Sequence, residues 1–88
     1  MNFWRVEFTY IAERDLANFD PSVRKKINDK IAWFASNYGK LRPEPLHIPF
    51  DGFYKLHIGK IRAIYTIEND THILLMHHIE WRDKVYKH

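Results

Sequence analysis

Hydrophobic and polar residues alternate from Phe3 to Phe8, with Trp4, Val6 and Phe8 on one side and Arg5 and Glu7 on the other. That pattern predicts a strand over 3–8. Thr9 offers a hydroxyl as N-cap of a following helix, with Glu13 in its first turn and Ala12, Leu16 and Phe19 on one stripe. Asp20-Pro21 restarts the chain, Asp20 as N-cap and Pro21 at the first helical position. Val23, Ile27, Ile31, Phe34 and Tyr38 then recur at helical spacing, which predicts a second helix running to about Tyr38, with Gly39 as the C′ residue. A two-residue break between helices predicts an antiparallel helical hairpin.

Residues 40–52 hold Pro43, Pro45 and Pro49 and read as an ordered loop with room for a short edge strand. Three strands follow, over 53–58, 60–67 and 71–79. Gly59-Lys60 suits a type II′ hairpin turn, and Asn69-Asp70 lies in the second turn. The tail from Trp81 to His88 has the length to dock as one or two turns. The expected fold is a single α+β domain spanning 1–88, in the order β-αα-βββ. Its N-terminal strand and helical hairpin lie on one face of a mainly antiparallel four-stranded sheet, ended by a short tail or helix.

Composition narrows the choice of function. Eighty-eight residues with no cysteine exclude a disulfide framework and a thiolate metal site. A chain this short buries only about 60–65% of its unfolded surface. Its 16% aromatic content therefore matters, because each ring buries a large area. No apolar run is long enough to span a membrane. The start Met1-Asn2-Phe3-Trp4-Arg5 lacks the features of a signal peptide, so the cytoplasm is the expected compartment. The net charge of +3 is mildly basic, which suits an acidic or nucleic-acid partner and is also ordinary for a small domain.

The placement of charge is more informative than its sum. With Gly59-Lys60 as the turn, Ile58 faces Ile61, His57 faces Arg62 and Leu56 faces Ala63. Tyr54, Leu56, Ile61, Ala63 and Tyr65 then pack on the helices, while Lys55, His57 and Arg62 share the opposite face. Like charges on neighbouring strand positions repel, so such a group implies an anion to hold. With Asn69-Asp70 as the second turn, Arg62 faces His77 on the third strand of the hairpin series. A slip of one residue brings Met76 there instead. Glu80, Trp81, Arg82 and Tyr86 are in reach of the same sheet edge.

This group suits attack on an RNA phosphodiester. RNA carries its own nucleophile, the 2′-OH, so a protein needs a base, cations for the added negative charge and an acid for the 5′-oxygen. Lys, Arg, His and Tyr supply these functions. A solvated strand face is the plainer reading of the same residues. His77-His78 with His57 suggests a metal only weakly, because adjacent strand residues point to opposite faces, and no metal or other cofactor is expected.

The sequence resembles the RelE/ParE superfamily of toxins of bacterial and archaeal toxin–antitoxin pairs, on its RelE branch. Val6-Glu7-Phe8-Thr9 with Ala12, Asp15 and Leu16 resembles the family's opening strand and helix, and Lys40 to Leu46 its proline-containing loop. Gly52-Phe53-Tyr54-Lys55-Leu56-His57-Ile58-Gly59-Lys60-Ile61-Arg62-Ala63-Ile64-Tyr65 resembles its most specific stretch. Ile79 to Tyr86 resembles its close. The resemblance implies a metal-independent endoribonuclease that cuts mRNA in the ribosomal A site. It implies as partners a cognate RelB-like antitoxin in a hetero-oligomer, mRNA and ribosomal RNA.

Carried over by resemblance, Lys55 is the base or charge stabiliser and Arg62 steadies the phosphate. Arg82 is the acid or second stabiliser, and Tyr86 stacks on or orients the nucleotide. His57 stands where a permanent cation is usual, Glu80 where glycine is usual, and Trp81 where His or Lys is usual. His57 and Glu80 are therefore further catalytic candidates as acid or base. Glu80 also has the charge to pair with Arg82 and oppose an incoming phosphate. Lys25, Lys26, Lys30, Lys60, Trp81 and Lys84 are the candidate RNA contacts. For Arg24, Lys25, Lys26 and Lys30 a solvated helix face is the plainer reading, and for Trp81 packing is. Two alternatives stay open: a ParE-like inhibitor of DNA gyrase, and a RelE-fold binding protein with weakened catalysis.

Overall fold

The computed structural model describes residues 3–47 and 49–82. Strand β1 (Arg5–Phe8) leads into helix α1 (Tyr10–Ala17) and helix α2 (Pro21–Ser36). A 3-10 turn (Tyr38–Lys40) and strand β2 (Glu44–Pro45) follow. Strands β3 (Tyr54–Ile58), β4 (Ile61–Glu68) and β5 (Ile73–Trp81) complete the order. The sheet has five strands in the order β1-β5-β4-β3-β2. β1 runs parallel to β5, and every other pair is antiparallel. The expected four-stranded sheet thus gains a two-residue edge strand from the proline-rich loop. Pro45 is tolerated there because an edge position does not need its missing N–H.

Local chemistry explains the element boundaries. Thr9 is extended, and its Oγ1 accepts the Ala12 N–H at 3.1 Å, which caps α1 as the sequence predicts. Pro21 opens α2, but the Asp20 side chain makes no capping bond. α2 ends at Ser36, earlier than Tyr38. The Asn37 amide donates to the Trp33 carbonyl at 2.8 Å, and the Asn37 backbone N–H reaches the last carbonyls of the helix. Gly39 therefore lies in the 3-10 turn rather than at a left-handed C′ position. In the first hairpin Gly59 has φ 61° while Lys60 stays out of the positive region, as a type II′ turn requires.

Both helices pack on one face of the sheet. The core between them is Ala12, Ile27, Ile31, Phe34 and Tyr38 against Leu56, Ile61, Ala63, Tyr65, Leu74, Met76 and Ile79. Aromatic rings carry much of it: Phe34 meets Tyr38 and Tyr65 edge-on at 5.4 and 5.5 Å. Tyr65 is fully buried, and its hydroxyl has no partner among the described residues. Burial, reinforced by Tyr38 and Tyr54, drives its pKa far up.

The last two strands depart from the expected register. The second turn takes in His72, which adopts φ 56°, so β5 starts only at Ile73. β4 and β5 then pair Tyr65 with Met76 but Ile64 with His78, leaving His77 as the extra residue of a bulge. Arg62 consequently faces Glu80, not His77. The bulge sits where β1 gives way to α1. There the Thr9 N–H donates to the Met76 carbonyl, the Thr9 hydroxyl to the His77 carbonyl, and the Ile79 N–H to the Asp15 carboxylate at 3.0 Å.

Thr9→Ala removes both the cap and the bond to the bulge. It should cost about 1–2 kcal/mol of unfolding free energy, with Thr9→Ser recovering most of it, as read by urea denaturation. Tyr65→Phe should leave the urea midpoint unchanged or raise it, because it removes a buried hydroxyl that no described group satisfies.

Candidate functional site

The β3–β4 hairpin sets the site. His57 pairs with Arg62 and Lys55 with Ile64, and β2 lays Glu44 beside Lys55. Alternation turns Lys55, His57 and Arg62 away from the helices onto the open face of the sheet. Leu56, Ile61, Ala63 and Tyr65 of the same hairpin are buried on the other side, as the sequence pattern predicts.

The anions that balance this face belong to the chain itself. Arg62 donates through Nε and Nη2 to one oxygen of Glu80, at 3.1 and 3.0 Å. Their side chains are 14% and 26% exposed, so this pair is largely shielded from solvent. Glu44 places one oxygen 3.2 Å from His57 Nε2 and 3.6 Å from Lys55 Nζ. Sequence reasoning weighed Glu80 against Arg82 and did not single out Glu44. The available signal was Pro43-Glu44-Pro45, a stiff extended segment that suits an edge strand. Arg82 sits at the end of β5, where its backbone N–H donates to the Lys60 carbonyl at 2.8 Å.

A shallow cleft of about 320 Å³ opens beside this face, between the end of α1 and the end of β5. Asp15, Asn18, Phe19, His78 and Trp81 line it, together with Glu80. Trp81 is half-exposed and packs its ring on Phe19 at 5.5 Å.

One comparison decides the family. The model for "ParE toxin of type II toxin-antitoxin system, parDE" matches residues 3–85. The chain belongs to this family of toxins. No curated protein matches the sequence. Solved structures that resemble it are toxins of the same superfamily. The toxin–antitoxin complex RelBE2 of Mycobacterium tuberculosis gives a TM-score of 0.81 at 20% identity, covering 92% of this chain and 100% of that one. The archaeal RelE–RelB complex of Pyrococcus horikoshii OT3 gives 0.71 at 14% identity, covering 92% and 97%. The YoeB dimer of Staphylococcus aureus gives 0.70 at 22%, covering 91% and 98%. At these identities the likeness is one of fold.

In this toxin the structure brings Lys55, His57, Arg62 and Glu80 together on one face and adds Glu44. Lys25, Lys26, Lys30, Lys60 and Trp81 stand elsewhere. Lys25, Lys26 and Lys30 lie on α2, across the core from the open face. Lys25 is occupied by Asp29 at 2.8 Å, and Lys30 lies over the Trp33 ring at 4.3 Å. Lys60 is exposed in the hairpin turn. Trp81 faces α1 instead of the cations. Tyr86 and Lys84, with the tail expected to dock as one or two turns, lie outside the described residues. No group of three potential metal ligands is found among the described residues.

His77 shares the open face but stands apart from Arg62. Its Nε2 is 2.8 Å from the Thr66 hydroxyl, and its ring meets Phe53 edge-on at 5.2 Å. Burial, then the neighbouring His78, lowers its pKa. Above about pH 6.5 the ring is neutral in both folded and unfolded chains, so it has no effect on pH dependence. As pH falls through that value the unfolded chain takes up the proton first, and stability drops until the native ring is also protonated. The urea midpoint of the toxin should therefore fall below about pH 6.5, and His77→Gln should flatten that fall.

Proposed function

We propose that this toxin is an endoribonuclease that cleaves mRNA on the ribosome through the 2′-OH of its substrate. The observation that carries the reading is the convergence of Lys55, His57 and Arg62 on one face, with the Glu44 carboxylate behind His57. In this reading His57, oriented by Glu44, takes the proton from the 2′-OH. The 2′-oxygen forms its bond to phosphorus as the bond from phosphorus to the 5′-oxygen breaks. Arg62 and Lys55 stabilise the extra charge on the phosphoryl oxygens, and a proton passes to the departing 5′-oxygen, for which Arg82 is the candidate. Tyr86 is the candidate for holding the target nucleotide.

The partners follow from the same face. A RelB-like antitoxin would hold the toxin inactive in a hetero-oligomer by placing acidic residues over Lys55 and Arg62. RelE–RelB complexes are among the toxin's structural neighbours. Action on the ribosome places the protein in the cytoplasm, and among the described residues no helix is long and apolar enough to cross a membrane. The match to the ParE family model favours a second reading, inhibition of DNA gyrase.

Induced expression with mapping of mRNA 5′ ends separates the two. The proposed activity gives new ends at codon positions within translated transcripts. DNA damage without such ends favours gyrase and overturns the nuclease reading. Arg62→Ala should abolish both the ends and the growth arrest while the antitoxin still binds. Full toxicity of that variant would contradict the role given to Arg62.

A further inference from the structure

Glu80 occupies the position where a phosphate would meet Arg62, and it does so by design of the backbone. The bulge at His77 advances β5 by one residue, which turns Glu80 onto the open face opposite Arg62. Without the extra residue, Ile79 would stand there. The Thr9 hydroxyl and the Asp15 carboxylate hold the bulge, and with it this register, from the α1 side. The Arg62 guanidinium meets one carboxylate oxygen through two of its nitrogens, the contact that it would otherwise offer a phosphoryl oxygen. A phosphate arriving on this face therefore competes with an internal carboxylate held in a shielded pair.

Glu80 also has somewhere to go. Glu80 lines the cleft at the end of α1 together with Asn18 and with His78, whose Nδ1 lies 3.7 Å from the Asp15 carboxylate. We infer that Glu80 is an internal competitor for the phosphate seat on Arg62, which it vacates toward the α1–β5 cleft when a phosphodiester binds. It is thus a determinant of how tightly this toxin holds its substrate. This rests on the open face being the RNA-binding face.

Fluorescence anisotropy of a short fluorescein-labelled 2′-O-methyl oligoribonucleotide tests it. That probe lacks the nucleophile, so binding is read without cleavage. Glu80→Gln, which keeps an acceptor for Arg62 but removes the charge, should bind about fivefold more tightly than the wild type. Glu80→Ala should bind at least as tightly as Glu80→Gln, and serves if the Gln variant folds poorly. The salt dependence of binding should steepen in both by close to one ion, because no displaced carboxylate then takes up a counterion. A merely structural role for Glu80 would not change that slope. Unchanged or weaker binding by both variants overturns the inference. Arg62→Ala in the same assay keeps the two claims apart. If it weakens binding while the Glu80 variants do not tighten it, only the competitor role fails. If it leaves binding unchanged, the open face is not the RNA-binding face, and both claims fall.

Discussion

The structure turns on the point where β1 leaves the sheet. Up to Phe8 the outer edge of β5 is satisfied by a parallel partner. Beyond it, the peptide groups of β5 have no strand beside them, and unpaired buried backbone groups are costly. Thr9 and Asp15 answer that need with a hydroxyl and a carboxylate carried by the first turns of α1. In doing so they hold an extra residue in β5. That residue decides which side chain of β5 stands opposite Arg62.

The electrostatics follow from that register. The sheet gathers Lys55, His57 and Arg62, an arrangement whose self-repulsion would be unfavourable if it stood alone. Two carboxylates from distant parts of the chain offset it, Glu44 on the edge strand and Glu80 after the bulge. The two differ in what they leave available. Glu44 is half-exposed and shared between the Lys55 ammonium and the His57 ring, a geometry that suits orienting His57. Glu80 is shielded and concentrated on one guanidinium. A net charge of +3 says little about such a face, because its local balance is set by pairs that the total does not resolve.

What was legible in the sequence was local. The alternation of Tyr54, Leu56, Ile61, Ala63 and Tyr65, joined by a glycine-led turn, placed Lys55, His57 and Arg62 on one face and gave the right pairs across the first hairpin. Thr9 announced its cap by its position before an apolar stripe. The register of β5 was not legible, because a period of two survives on either side of a bulge and does not count the residue within it. Asn69-Asp70 looked like a complete turn, whereas His72 extends it by adopting a left-handed conformation that is uncommon outside glycine. The role of Glu44 depends on a pairing with β3 that local pattern does not encode. The family resemblance marked Glu80 but set it beside Arg82 instead of Arg62, and it did not mark Glu44.

The central claim is that one extra residue at His77 sets the register between β4 and β5 and so seats Glu80 on Arg62. Cross-strand nuclear Overhauser effects test it most directly. The account predicts a backbone contact between Ala63 and Ile79 together with one between Tyr65 and Met76. A contact between Ala63 and His78, continuing the Tyr65–Met76 register without interruption, would contradict it.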